Sequence, residues 1–466
     1  MATARTAAAV VAAALLAVSG CASGAEPGPP TESVTETPVP AGKLTVWDAT
    51  GAGYDPAATY APVIESFRAD YPAVEVEVIG VDPARAREGF LAASRAGDPP
   101  ALLLGPSEWT VELAGGGFLE PLTGTPLEVA LADYVPVTRS SVEFGQELWG
   151  LPQTSFSDAL VCNERVLSSA QATVPGTWSE VAAESGKLAA AGVTLLLAPA
   201  TGTDALPYLY SAGGGMLDTA STTILVNNPE STAGWEQAVA LIASGATPRS
   251  LPGTPAGAGA PDVDAGSASA SPAEPAATDP AAQPTTGPAE AREAFLRGDL
   301  ACLFADPFET AGIYADARAT TDVSISVNPP PAGSAPGSAT AQGANLNVAA
   351  AADQSQKELG YLFAAHLNSV EVQFDLALAA GWPPAQAASN RLLADQTTAQ
   401  AKILNEYAPL TRSAAPWPAT PELPALIPAL DAGWAAMAAG SGAPAQVADD
   451  IAAQWQTVLP ATYSRD

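Results

Sequence analysis

Apolar and polar residues begin to alternate in an ordered way at Lys43-Leu44-Thr45-Val46-Trp47, whose β-branched content predicts a strand. Val63, Ile64 and Phe67 then fall at helical spacing, so an amphipathic helix is expected over residues 60–70, ended by Tyr71-Pro72. Val74-Glu75-Val76-Glu77-Val78 has the period of two of a half-buried strand. A second helix is expected near 85–96, a short buried strand at 101–104, and a helix over 109–114 stopped by Gly115-Gly116-Gly117. Strand, helix, strand, helix, strand predicts an α/β fold with a largely parallel sheet. The alternation restarts after Leu151-Pro152, with strands expected at 159–162, 193–197, 301–304 and 323–327 and helices at 178–190, 235–244 and 289–297. This predicts a second lobe of similar architecture, followed from Lys357 by a mostly helical stretch with Pro-rich turns near Trp382 and Trp417.

Three segments fall outside that pattern. Residues 1–21 carry one early charge, Arg5, then an apolar run from Ala7 to Val18 that is too short to span a bilayer but suits a signal peptide. The run ends in Leu16-Ala17-Val18-Ser19-Gly20-Cys21, which resembles the lipobox of bacterial lipoproteins. The resemblance implies export, diacylation of Cys21 and a lipid anchor at the outer face of the cell membrane, where two acyl chains suffice for stable attachment. Residues 22–42, rich in Pro, Thr, Glu, Ser and Gly, are expected to form a disordered spacer. Residues 247–288 are Ala, Pro, Gly, Ser and Thr without an aromatic, and are expected to be a disordered insertion in a surface loop of the second lobe.

A length of 466 residues exceeds one ordinary core and favours two domains or lobes. Eighteen Lys and Arg against 49 Asp and Glu, a net charge of −31, exclude a basic nucleic-acid footprint and attraction to anionic headgroups. The acidity is read as solubility outside the cell ahead of a cationic ligand. With Cys21 assigned to lipid, Cys162 and Cys302 remain, each in a short apolar run. A disulfide and two buried free thiols are both open, the oxidising compartment favouring the bond. No Cys and His cluster has metal-site spacing, and no cofactor is implied.

The order of motifs resembles the extracellular solute-binding proteins of ABC importers, in the cluster that includes maltose- and other sugar-binding proteins. The resemblance runs over nearly all of 43–459 apart from the Pro-rich insertion. It is carried by Lys43-Leu44-Thr45-Val46-Trp47, Phe67-Arg68-Ala69-Asp70-Tyr71-Pro72, the turn ending Gly97-Asp98-Pro99-Pro100, and Gly117-Phe118-Leu119-Glu120-Pro121-Leu122. Further on stand Leu148-Trp149-Gly150-Leu151-Pro152-Gln153, Cys162-Asn163, Pro175-Gly176-Thr177-Trp178, Ala294-Phe295-Leu296-Arg297-Gly298-Asp299 and Gly381-Trp382-Pro383-Pro384. It implies a two-lobed periplasmic-binding-protein-like fold, each lobe a mostly parallel sheet flanked by helices. The N-lobe would comprise 43–152 and 328–378, the C-lobe 153–327 and 379–466. A three-segment hinge is expected at 151–154, 327–331 and 378–381. The implied function is a monomeric, lipid-anchored receptor that closes over a small solute, a sugar or oligosaccharide, and delivers it to the transmembrane subunits of an ABC permease.

A sugar site needs flat apolar faces for ring C–H surfaces and planar polar groups for hydroxyls. Carried over from the family's loops, the candidates in the first lobe are Asp48 and Thr50, then Glu108 and Trp109. Asp48 as a cap for the following helix is an equal alternative. The second lobe offers Phe156, Asp158, Thr203, Asp204, Tyr208, Asp306 and Phe308, with Trp382, Arg412 and Trp417 near the last crossing. Trp47 and Trp235 are expected in cores, and His366 without a ligand role. Phe156, Cys162, Phe308 and Thr203 depart from the maltose-type pattern, which motivates one alternative, a surface sensor or scaffold that no longer transports. A carbohydrate-active enzyme is the weaker alternative, since paired carboxylates could serve glycoside hydrolysis but the single His366 leaves no triad to build.

Overall fold

The computed structural model describes residues 40–51, 55–220, 222–252, 286–317 and 324–465. The expected signal peptide with Cys21, nearly all of the spacer, and 253–285 of the insertion lie outside the described residues.

The first sheet has five strands in the order β2-β1-β3-β8-β4. These are β1 (Gly42–Asp48), β2 (Val74–Gly80), β3 (Leu102–Pro106), β4 (Leu151–Ser157) and β8 (Ala341–Val348). β1 pairs in parallel with β2 and β3, while β8 runs antiparallel to both β3 and β4. Helices α1 (Pro56–Asp70) and α2 (Pro83–Ala96) make the parallel crossovers. Each begins with a side-chain cap, Asp55 on Ala57 N–H and Asp82 on Ala84 N–H. β3 is buried on both faces, which is why it reads as an unbroken apolar run. Leu102 and Leu104 join Phe67 and Phe363 on one side, and Leu103 joins Phe90 and Leu113 on the other.

The second sheet has three strands in the order β6-β5-β7, namely β5 (Ala159–Asn163), β6 (Cys302–Ala305) and β7 (Ile325–Asn328). Both pairings are antiparallel, so this sheet corrects the expectation of a mostly parallel one. The reason lies in the connectivity: β4 leads into β5 through the single residue Asp158, while β6 and β7, joined through the helix Pro307–Ala317, run parallel to each other and both oppose β5. The expected strand at 193–197 forms only a bridge between Thr194 and Leu300. After Leu195 the backbone leaves the sheet and lines a cavity instead. A core of Trp178, Leu206, Trp235, Trp434 and Trp455 packs this region. It is contributed by α4 (Trp178–Ala189), α5 (Leu206–Ala212), α6 (Pro229–Ala243), α13 (Leu423–Ala438) and α14 (Pro444–Val458). The Thr177 and Glu180 capping box starts α4.

The chain changes sheet at Asp158, so the expected first hinge at 151–154 falls inside β4. It returns between β7 and β8, over residues 329–340, so the expected crossing at 327–331 begins inside β7. Near the third expected crossing, Gly381 caps α10 (Val370–Ala380) at φ 75°. Pro384 still bridges Thr154 of β4, so contact with the first sheet continues past that point. The insertion narrows at both ends. Thr286 N–H donates to Arg249 O, and Leu251 N–H donates to Thr286 Oγ1.

Candidate functional site

A cavity of about 560 Å³ opens where the two sheets meet, inside the size range of small-molecule sites. The first sheet supplies Thr154 and Phe156 from β4, Gln342 and Gly343 from β8, Pro106 at the end of β3 and Glu108 just beyond it. The opposite wall is residues 196–200, Thr203 and Asp204, Arg292 from α7 (Pro288–Arg297), and Asp306, Phe308 and Glu309 at the start of α8 (Pro307–Ala317). Trp382 and Trp417 close it. Gly343 is fitted to its place, since a Cβ there would lie 2.2 Å from Thr154 O. A separate recess of about 10 Å³ beside Ser107 and Ser141 is no larger than a water site.

Of the residues expected from the sequence, the cavity brings together Thr50, Glu108, Phe156, Asp158, Thr203, Asp204, Tyr208, Asp306, Phe308, Trp382 and Trp417. Three do not line it. Asp48 is 3% exposed, and its carboxylate accepts from Thr50 N–H and Thr50 Oγ1, shaping the turn after β1. Its alternative as helix cap is filled by Asp55. Trp109, at the start of α3 (Trp109–Gly115), packs against the cluster of Leu103, Leu113 and Ala349 because helix geometry turns it away from its neighbour Glu108. Arg412 stands exposed at the end of α12 (Ala399–Arg412).

The aromatics divide into faces and supports. Phe156 and Phe308 meet edge to face at 5.5 Å between centroids, each half-buried, tying β4 to α8 across the cavity. Tyr208 lies stacked on Trp178 at 3.7 Å and is only 2% exposed, so it is chiefly core. Trp382 sits edge-on to Tyr60 and is likewise buried, and Trp417 is half-buried.

The polar lining is acidic. Glu108, Asp158, Asp204, Asp306 and Glu309 face the cavity, with Arg292 as the one cation of the lining among the described residues, and Arg292 is paired with Asp316. Burial pushes the Glu108 and Asp306 carboxyls up to about 7, the Glu309 charge adding to the effect at Asp306. Burial also raises Asp158 well above the usual range, reinforced by the charges of Asp306, Glu309 and Asp204 and opposed by the Gln342 hydrogen bond. Asp204 and Glu309 are raised by desolvation as well, although both residues are exposed at the rim of the cavity. Asp306 Oδ1 accepts from Glu309 N–H at 2.7 Å and Glu309 Oε2 accepts from Asp306 N–H, a capping box that fixes both carboxylates at the mouth of α8. Among the described residues, no three His, Cys, Asp or Glu side chains converge closely enough to hold a metal ion.

Cys162 and Cys302 stand opposite each other on β5 and β6 and are bonded, with Cα atoms 4.1 Å apart. The bond ties the strand entered from Asp158 to the strand leading into Asp306.

Sequence reasoning missed Arg292, Glu309, Gln342 and the 196–200 wall. Glu309 carried a usable signal, the Asp-x-x-Glu spacing of a capping box. Gln342 carried none, because Ala341-Gln342-Gly343-Ala344-Asn345-Leu346-Asn347-Val348 has poor strand propensity. β8 is nevertheless central: buried Asn345 donates to Ser107 O and Thr110 Oγ1, and buried Asn347 donates to Leu103 O.

A family model described as bacterial extracellular solute-binding protein matches residues 51–374. No curated protein matches the chain. Among solved structures, the GacH receptor of Streptomyces glaucescens, studied unliganded and with acarbose, is similar at a TM-score of 0.72 and 22% identity, covering 90% of this chain and 98% of that one. An ABC transporter solute-binding protein of Thermotoga lettingae bound with α-D-tagatose gives 0.68 and 19%, covering 90% of this chain and 100% of that one. Maltose-bound MalE3 of T. maritima gives 0.67 and 21% with the same coverage. The likeness establishes a periplasmic-binding-protein-like α/β fold with mixed sheets flanked by helices.

Proposed function

We infer the function from membership: the chain belongs to the bacterial extracellular solute-binding protein family, and we propose that its cavity captures a small carbohydrate for an ABC importer. The family is one of binding proteins that act outside the cytoplasm, not one of enzymes. The observation that carries the proposal is the 560 Å³ cavity at the meeting of the two sheets, where Phe156 and Phe308 offer apolar faces among carboxylates, threonines and Gln342. Solved proteins of this fold were studied with acarbose, α-D-tagatose and maltose, which supports a sugar-sized ligand.

Two lobes, one built on the first sheet and one on the second, would close about the crossings at Asp158 and between β7 and β8. A ligand that touches both walls stabilises the closed form by its differential affinity, and a permease can read that form. Diacylation of Cys21 would hold the receptor at the outer face of the membrane as a monomer, with residues 22–42 as a leash. Thermal-shift titration of the purified protein against a panel of mono- and oligosaccharides tests the proposal. A ligand should raise the melting temperature with concentration by mass action. No shift with any sugar would sink it and favour the sensor or scaffold alternative. Mass analysis of the mature amino terminus tests the lipid on Cys21 separately.

A further inference from the structure

We propose that the preferred solute of this cavity is a cationic amino sugar or amino-substituted oligosaccharide rather than a neutral sugar. The inference rests on the solute-binding reading above and names its substrate class.

Among the described residues, five carboxylates line one cavity against a single guanidinium, which is paired with Asp316 and offsets the charge of Glu309 alone among the five. Overall acidity does not account for this. Charges placed for solubility point outward into bulk water, where they are screened. Asp158, Asp204, Asp306 and Glu309 instead come from the β4–β5 junction, the 201–205 turn and the start of α8, and meet across one cavity. The charges of Asp306, Glu309 and Asp204 each push Asp158 toward protonation, Glu309 does so at Asp306, and Asp204 at Glu309. Gln342 is the neutral donor that faces Asp158, and the Tyr407 hydroxyl donates behind Asp306 to Ala305 O. Among the described residues, no lysine lines the cavity and Arg292 is its single lining cation. Burial and mutual repulsion hold Asp158 and Asp306 toward their protonated forms, and an ammonium group on the ligand would take the place of those protons.

The geometry distinguishes between counter-charges. The carboxylates do not converge into a metal-sized set, so a divalent ion gains no coordination shell. They are spread around a 560 Å³ space whose other furniture is aromatic, Phe156 and Phe308 foremost. An organic body with flat C–H faces and one or more ammonium groups fits both features, and the aromatic faces themselves attract such cations.

Calorimetric titration at neutral pH and low salt tests this with kanamycin, an amino-substituted pseudotrisaccharide, its fully N-acetylated neutral form, and maltotriose. Kanamycin should bind at least tenfold more tightly than either neutral probe, and that preference should shrink in 0.5 M salt. Asp158→Asn, which keeps the acceptor for Gln342, should reduce the kanamycin-to-maltotriose affinity ratio at least tenfold. Asp306→Asn, which can still cap α8, should act in the same direction. Maltotriose binding as tightly as kanamycin, or an affinity ratio unmoved by Asp158→Asn, would overturn the inference and leave the sugar reading standing. Failure of all three probes together with the whole sugar panel would overturn both.

Discussion

Gln342 Nε2 donates to Asp158 Oδ1 at 3.0 Å. The bond joins the residue at which the chain leaves the first sheet to the first strand after it returns. It therefore sets the orientation of a carboxylate at a crossing between the two walls of the cavity. Gln342→Ala should cost about 1 kcal/mol or less in stability, the usual net worth of such a bond. Solute affinity should fall several-fold, because the freed Asp158 is no longer held toward the ligand. Urea unfolding and titration on the same samples separate the two effects.

The acidic lining makes the empty protein sensitive to pH in a direction opposite to that of ion-paired carboxylates. The folded values of Glu108 and Asp306, about 7, lie above their ordinary values. Between those limits the native state binds more protons than the unfolded state, so stability falls as pH rises from about 4 to about 7 and the loss is complete above that range. Thermal melts across this range should show the decline. Glu108→Gln should flatten it, and a mutant as steep as the parent would count against the assignment.

Phe308 offers its ring to the cavity and its edge to Phe156. Phe308→Ala should weaken solute binding by about tenfold, the scale of one aromatic contact of about 1–1.5 kcal/mol. Equilibrium titration reads the loss, and Phe308→Trp should recover most of it.

Neighbouring Glu108 and Trp109 should separate cleanly. Trp109→Ala removes a side chain from the cluster around Leu103 and Leu113, and should cost about 3 kcal/mol without moving the dissociation constant. Glu108→Gln should shift binding of an amine-bearing solute with little loss of stability at neutral pH. The reverse pattern would place Trp109, not Glu108, in the site.

The disulfide closes a sequence separation of 140 residues. Replacing Cys162 and Cys302 together by Ala should lower stability by about 2–5 kcal/mol, chiefly by enlarging the unfolded ensemble. Denaturant midpoints with and without reductant should show the same gap for the parent and none for the double variant.

The sequence alone determined what depends on local pattern. Apolar spacing marked the helices over 56–70, 83–96 and 178–189 to within a few residues, and alternation marked β1 and β2. Motif order over some four hundred residues also pointed to the family, and from it to eleven of the residues that line the cavity. Only the tertiary structure decided the rest. The strand propensity of β8 is too weak to announce a central strand, which forms because Asn345 and Asn347 find buried partners on other elements. Trp109 and Glu108 are adjacent in sequence but diverge in space, since consecutive helical residues do not share a face. The acidity of the chain, legible as a number from the start, became a statement about ligand chemistry only when Asp158, Asp204, Asp306 and Glu309 were brought to one cavity from distant segments. Charge count is a property of composition, whereas charge proximity is a property of the fold.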